Sequence, residues 1–227
     1  MCIMKRVFIL LFSIVSLLCA TDAYSQRSIE LGYSKHIFRS KTGAGYIPFL
    51  NDMGYNGMYV AFRYNMFFSD APDSRFAAQI GVKYDFQYGR SRSDVDVHLE
   101  QYLEVPVLFK YYIRNSSSEP VASLFVGPSF SLNLSSVYKD KQEMINGTTI
   151  LEEINLLRDN DYGYTVFDVL ACAGVSFRVK DNIGLTLSYS LGLSNRRGLM
   201  DGEKHTEISK HYMLNSDVLN VGVVYEF

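Results

Sequence analysis

Phe76-Ala77-Ala78-Gln79-Ile80-Gly81-Val82-Lys83-Tyr84-Asp85-Phe86-Gln87-Tyr88 changes character at every step. Phe76, Ala78, Ile80, Val82, Tyr84, Phe86 and Tyr88 are apolar or aromatic. Ala77, Gln79, Gly81, Lys83, Asp85 and Gln87 between them are small, polar or charged. A period of two puts these sets on opposite faces of an extended strand. The same alternation runs through residues 103–113, 122–134, 167–179, 183–193 and 219–227. It is less clean over 28–38 and 55–67, where Met58, Val60, Phe62, Tyr64 and Met66 form the apolar set. Eight strands are predicted.

The connections carry a second signal. Short polar turns at 69–74, 115–119 and 180–182 join strands two to three, four to five and six to seven. The other connections, 39–54, 89–100, 135–161 and 194–215, are long. Short turns at one end and long loops at the other are the habit of outer-membrane barrels. Most runs reach the 9–11 residues, roughly, that a tilted membrane strand needs.

Which face is apolar decides the solvent. A soluble small barrel keeps its large apolar side chains inside. Here the polar set holds Gly32, Gly81, Gly127, Gly174, Gly184, Gly192 and Gly222, with Arg63, Lys83, Asp85, Glu104, Lys110, Asp168, Arg178 and Glu226. Small and charged residues suit a crowded lumen, and large ones suit lipid. A secreted soluble barrel or sandwich would need every strand inverted. The predicted fold is all-β: an eight-stranded antiparallel up-and-down transmembrane β-barrel with short periplasmic turns and long extracellular loops. Phe67, Phe68, Tyr88, Tyr111 and Tyr225 near strand ends read as interfacial girdles.

The start of the chain reads as an export signal. Lys5 and Arg6 precede an apolar run over 7–18, broken by Ser13 and Ser16, and Ala23-Tyr24-Ser25 offers small residues for cleavage. The run is too short for the ~18–20 apolar residues of a spanning helix. Residues 1–25 are therefore read as signal peptide and 26–227 as barrel, with a cut after Ala20 as the alternative. Cys19 raises a lipoprotein reading, but Leu17 and Leu18 stand where small residues are wanted. The chain of 227 residues has a net charge of −2, which becomes −3 when Lys5, Arg6 and Asp22 leave. No basic excess points to nucleic acid. Cys172 alone remains of three cysteines, so no internal disulfide is expected, and it reads as a packed small residue.

Tyr102-Leu103-Glu104-Val105-Pro106-Val107-Leu108-Phe109-Lys110-Tyr111-Tyr112, followed by Ala122-Ser123-Leu124-Phe125-Val126-Gly127-Pro128-Ser129, resembles the PorT-type outer-membrane β-barrel family of Bacteroidetes. So does Phe167-Asp168-Val169 leading into Ala173-Gly174-Val175-Ser176-Phe177. The resemblance implies the barrel fold and residence in the bacterial outer membrane. It also implies, more remotely, accessory work in type IX-like protein secretion. Tyr225 and Phe227, ending the chain on one face, resemble the signal read by the outer-membrane insertion machinery.

The eight lumen charges could line a proton or ion path. Structural ion pairing is the stronger expectation, because isolated buried ions are costly; Lys83 with Glu104 is one such pair. Asp96-Val97-His98 in the second long loop could be half of a protease site, and Ser188 or Ser190 a nucleophile of a lipid-modifying enzyme. No base shares their strand, so no catalysis is expected. Asp201, Glu203, His205 and His211 lack metal-site spacing, and no metal or cofactor is expected. Asn146-Gly147-Thr148 matches a glycan acceptor but reads as a loop turn. In the third long loop Thr149 and Glu152 have capping-box spacing, and Ile150, Leu151, Ile154 and Leu157 would line a short helix. That loop mixes Lys139, Lys141 and Arg158 with acids, and the fourth carries Arg196, Arg197, Lys204 and Lys210. Outer-membrane lipid is the expected surroundings, with a protein or glycan partner at the outer loops and a monomeric state.

Mass spectrometry of the protein purified from outer membranes is expected to find an N-terminus at Gln26. Retention of residues 1–25 would overturn the export reading.

Overall fold

The computed structural model describes residues 25–41, 54–68, 74–90, 97–117, 119–143, 149–158, 165–194 and 213–227. Nine strands lie among them: β1 Ser25–Lys41, β2 Gly54–Phe67, β3 Phe76–Arg90, β4 Val97–Arg114, β5 Pro120–Glu143, β6 Thr149–Asn155, β7 Phe167–Lys180, β8 Ile183–Gly192 and β9 Met213–Glu226. Eight of them close a barrel. β1 pairs with β2, β2 with β3, β3 with β4, β4 with β5, β5 with β7, β7 with β8, β8 with β9, and β9 returns to β1, all antiparallel. Each barrel strand therefore has a partner on both sides, and the wall has no edge. β6 stands outside this circuit, paired with the far end of β5.

The large residues point outward. Phe109 is 46% exposed and Leu187 47%, with Leu31, Met58, Leu124, Val126, Leu185 and Val223 on the same wall. Their neighbours in sequence turn inward: Lys83 and Glu104 are each 4% exposed. On β8 exposure alternates at all ten positions. Toward the short-turn end the outer wall carries an aromatic group, with Phe76 5.6 Å from Phe109 and 5.2 Å from Tyr111, and Phe68 6.1 Å from Phe109. Tyr225 stacks on Phe227 at the same end.

The interior is built from glycine and aromatic residues set opposite each other. Gly32 pairs with Tyr59, Gly89 with Tyr55 and Gly174 with Phe125 across neighbouring strands. A Cβ on Gly32 would lie 2.6 Å from the Tyr59 ring, and one on Gly174 would meet Phe125. The missing side chain makes the space that the ring fills. Leu108, Phe125 and Cys172 form a small apolar layer.

Several expectations need correction. The second long loop is shorter than predicted, because β3 runs to Arg90 and β4 begins at Val97. Strand five does not end at Leu134. A register shift between Gln101 and Tyr102 pairs Tyr102 with Asn133 but Gln101 with Ser135. Leu134 is the extra residue of a β-bulge, which reverses the phase. Beyond it Ser136 and Tyr138 turn inward and the strand continues to Glu143. The helix expected around Thr149 is instead strand β6, whose backbone pairs Lys139 with Glu153 and Glu143 with Thr149. Phe67 packs on Tyr112 at 5.4 Å instead of joining the outer girdle, and Tyr64 is buried despite its outward register. Asn146, Gly147, Asp201, Glu203, His205, His211 and the basic residues of the fourth loop lie outside the described residues, as do residues 1–24.

Leu187 sits half-way along β8 on the outer wall. Leu187→Arg is expected to cost about 2–4 kcal/mol, the penalty of a cation at mid-bilayer. Urea unfolding from phospholipid vesicles measures it; a loss under about 0.5 kcal/mol would contradict the lipid contact.

Candidate functional site

Among the described residues, the polar lumen is where the chain collects charged and hydrogen-bonding side chains. It is built by inward positions of β1 to β5 and β7 to β9. At mid-height the Lys83 ammonium, on β3, lies 3.1 Å from Glu104 of β4, 3.2 Å from Asp85 and 3.2 Å from the Asn220 amide oxygen on β9. The Tyr59 ring sits 5.1 Å from the same ammonium. Lys83 and Glu104 are direct cross-strand partners, so backbone pairing sets their contact. Asp85 also accepts from the Ser34 hydroxyl at 2.7 Å and the Gln87 amide at 2.5 Å.

Below this cluster Arg63 pairs with Glu30 at 2.9 Å, and the Tyr59 hydroxyl donates to the same carboxylate. The Gln79 amide donates to Asn65 at 2.6 Å. Nearer the short-turn end Glu226 gathers Arg178 at 2.8 Å, the Gln26 amide at 2.9 Å and Lys110 at 4.0 Å.

Above it lies a chain of hydrogen bonds. His98 Nδ1 is 2.6 Å from the Tyr55 hydroxyl, and its Nε2 is 2.7 Å from Ser136 Oγ. Ser136 donates to Glu100 at 3.2 Å, and Tyr102 donates to the other Glu100 oxygen. One arrangement of protons satisfies every group: Tyr55 donates to His98 Nδ1, His98 Nε2–H to Ser136, and Ser136 to Glu100. In it the serine proton points at a carboxylate and the imidazole nitrogen beside it is already protonated. His36 stacks on Tyr102 at 5.0 Å, reaches Asp85 at 3.6 Å and lies 3.2 Å from Ser216 Oγ.

All eight lumen residues predicted from sequence face inward. The structure joins Lys83, Asp85 and Glu104 in one cluster and Lys110, Arg178 and Glu226 in another. Arg63 meets Glu30, a residue the sequence reading passed over because β1 alternates poorly. Asp168 on β7 accepts from the Ser194 hydroxyl. His98, expected in a loop, is a fully buried strand residue. It meets Ser136, not Ser188 or Ser190. Ser188 accepts from the Asn220 amide at 3.3 Å, and Ser190 is the register partner of Cys172. Glu100, Ser136 and His36 were missed as well. The strand period extended to residue 98 could have found the first. The bulge at Leu134 hid the second.

The lumen charge is uneven. Its inner half holds Arg63, Lys110 and Arg178 against Glu30 and Glu226. Among the described residues its outer half holds Asp85, Glu100, Glu104 and Asp168 with Lys83, and the imidazoles of His36 and His98 beside them. Among the described residues no three carboxylate, imidazole or thiol groups gather as a metal site.

The sequence profile of a family described as outer membrane protein beta-barrel domain matches residues 100–196, from β4 past the end of β8. With the apolar outer wall, this decides where the molecule sits. The chain is a small β-barrel of the bacterial outer membrane. The attachment invasion locus protein Ail of Yersinia pestis is 14% identical, over 90% of this chain and 99% of its own, with a TM-score of 0.46. Neisserial surface protein A is 9% identical, over 89% of this chain and 97% of its own, at 0.41. OprG of Pseudomonas aeruginosa is 9% identical, over 90% of this chain and 97% of its own, at 0.39. Among curated proteins none matches.

Lys83→Met would strip two buried carboxylates of their cation. It is expected to cost about 3–5 kcal/mol, with partial recovery when Glu104→Gln is added. Urea midpoints of the single and double variants measure both; a single-variant loss below about 1 kcal/mol would show the cluster to be dispensable.

Proposed function

We propose that this barrel is a non-catalytic, monomeric anchor that presents a partner-binding hairpin at the cell surface. The observation carrying this reading is the length of β5. It has 24 residues where crossing a bilayer takes about 9–11. Pairing with β7 ends at Leu132 and pairing with β4 at Lys139. From Asp140 to Glu143 the strand pairs with β6 alone, as a two-stranded ribbon beyond the barrel rim. A membrane anchor does not need this ribbon. The far side of β6 pairs with no strand among the described residues. Such an edge offers backbone donors and acceptors to an extended segment of another chain. Accessory work in protein secretion, implied by the resemblance to PorT-type barrels, stands second; the same ribbon could dock a secretion component.

The test replaces residues 141–151 by Asn-Gly, a two-residue hairpin turn, and places a photo-cross-linker at Glu153, which is exposed. In intact cells the full chain is expected to give a discrete cross-linked adduct. The shortened chain is expected to fold, by its heat-modifiable gel mobility, and to lose the adduct. An adduct that survives the shortening, or none from the full chain, would overturn the proposal.

A further inference from the structure

Lys35 stands between Tyr33 and Ile37 on the outward face of β1 and is exposed. Register sets it beside Asn56 of β2, and Asn56 beside Tyr88 of β3. Asn56 is exposed and Tyr88 is 39% exposed, so the three make one outward row across neighbouring strands. Apolar Leu219 of β9 and Leu99 of β4 bound the row at its ends. Along β3, Tyr88 is far from Phe76, which belongs to the aromatic group of the short-turn end. At about 3.3 Å per residue and a strand tilt of about 40°, the row lies roughly 30 Å from Phe76 along the membrane normal. The apolar band of such barrels is about 25 Å tall, so the row meets the headgroups of the outer leaflet.

What the row offers is donors. The Asn56 amide oxygen accepts from the Tyr33 hydroxyl, on its inner side, which turns the amide NH2 toward the outer end. Neither the Lys35 ammonium nor the Tyr88 hydroxyl meets a polar partner among the described residues. Asp217 of β9, the register partner of Ile37, is held by the Tyr189 hydroxyl at 2.5 Å and the Gly192 N–H at 3.0 Å. Neighbouring strands are about 5 Å apart, so the long side chains of Lys35 and Tyr88 can converge over the short Asn56. Donors at the edge of hydrocarbon are costly without an acceptor. An anionic oxygen satisfies a cation and neutral donors together, by charge-assisted hydrogen bonds. We infer that Lys35, Asn56 and Tyr88 seat the phosphate of an outer-leaflet glycolipid, whose acyl chains then run down the wall over Tyr33 and Leu31.

The test refolds the full chain in non-ionic micelles with an equal mixture of lipid A and chemically dephosphorylated lipid A. Native mass spectrometry counts the retained lipid of each kind. A preference of about tenfold for the phosphorylated form is expected. Lys35→Gln is expected to cut it about fivefold, the worth of one lysine beside anionic lipid. Tyr88→Phe and Asn56→Ala remove no charge and are each expected to cut it about twofold. Lys180→Gln removes the same charge from the short-turn end, where Lys180 is exposed, and is expected to leave the preference unchanged. Heat-modifiable gel mobility checks that each variant is folded. Equal retention of the two lipids, as a row satisfied by water alone would give, overturns the inference. So does a preference that Lys35→Gln leaves intact, that Lys180→Gln lowers as much, or that Tyr88→Phe and Asn56→Ala both leave unchanged.

Discussion

Acyl chains can neither donate nor accept a hydrogen bond, and the rest of this structure follows from that. A strand crossing them must find a backbone partner on each side. The pairing of β1 with β9 and of β4 with β5 supplies the last of those partners. Closure then fixes orientation. One face of every strand meets lipid and the other meets the opposite wall, so the alternation of side chains becomes a division between solvent and interior. That is why Leu187 can be large, why Ser188 next to it must be small, and why both matter to the same barrel.

An eight-strand interior is narrow, and this chain fills it in two ways. Rings lie over glycines, as Tyr59 over Gly32 and Phe125 over Gly174. Charges lie against opposite charges. These solutions meet at Lys83, whose ammonium rests near the Tyr59 ring while binding Glu104 and Asp85. The pairs satisfy groups that would be ruinous if left alone, which is a different thing from adding stability over an apolar core. Their worth lies in register. A one-residue slip of β3 against β4 would put Lys83 outside and Glu104 without a partner.

The sequence made the wall legible because lipid contact imposes one rule on every strand. β3, β7 and β8 follow it without interruption, and their limits were read to within a few residues. The rule fails where the backbone departs from a simple pleat. Leu134 adds one residue to β5, the phase reverses, and the strand read as finished continues for nine more residues. Ser136 was invisible for that reason. His98 and Glu100 were lost differently: polar residues at the outer end of a strand look like loop when only apolar alternation is followed. Glu30 and His36 belong to β1, whose outward set includes Lys35 and blurs the contrast. Pairing across strands was legible only where the register could be guessed, as for Lys83 and Glu104.

What the wall demands also limits where a specific activity can reside. Residues in the membrane-crossing part of each strand are committed, outward to lipid or inward to packing and ion pairs. Ser188 shows this: it is buried on the inward face of β8, and its hydroxyl accepts from the Asn220 amide. The outer reach of β5 is under no such demand. Beyond Lys139 neither lipid contact nor barrel closure constrains the sequence, yet the chain keeps an ordered ladder with β6. Two strands alone are marginal in water, so this ribbon depends on the barrel for its footing. Its root is the bulge at Leu134, which turns Ser136 into the network of Glu100 and His98. The fully buried polar groups at the top of the lumen thus act as a foundation. They carry a surface element that neither the bilayer nor barrel closure calls for.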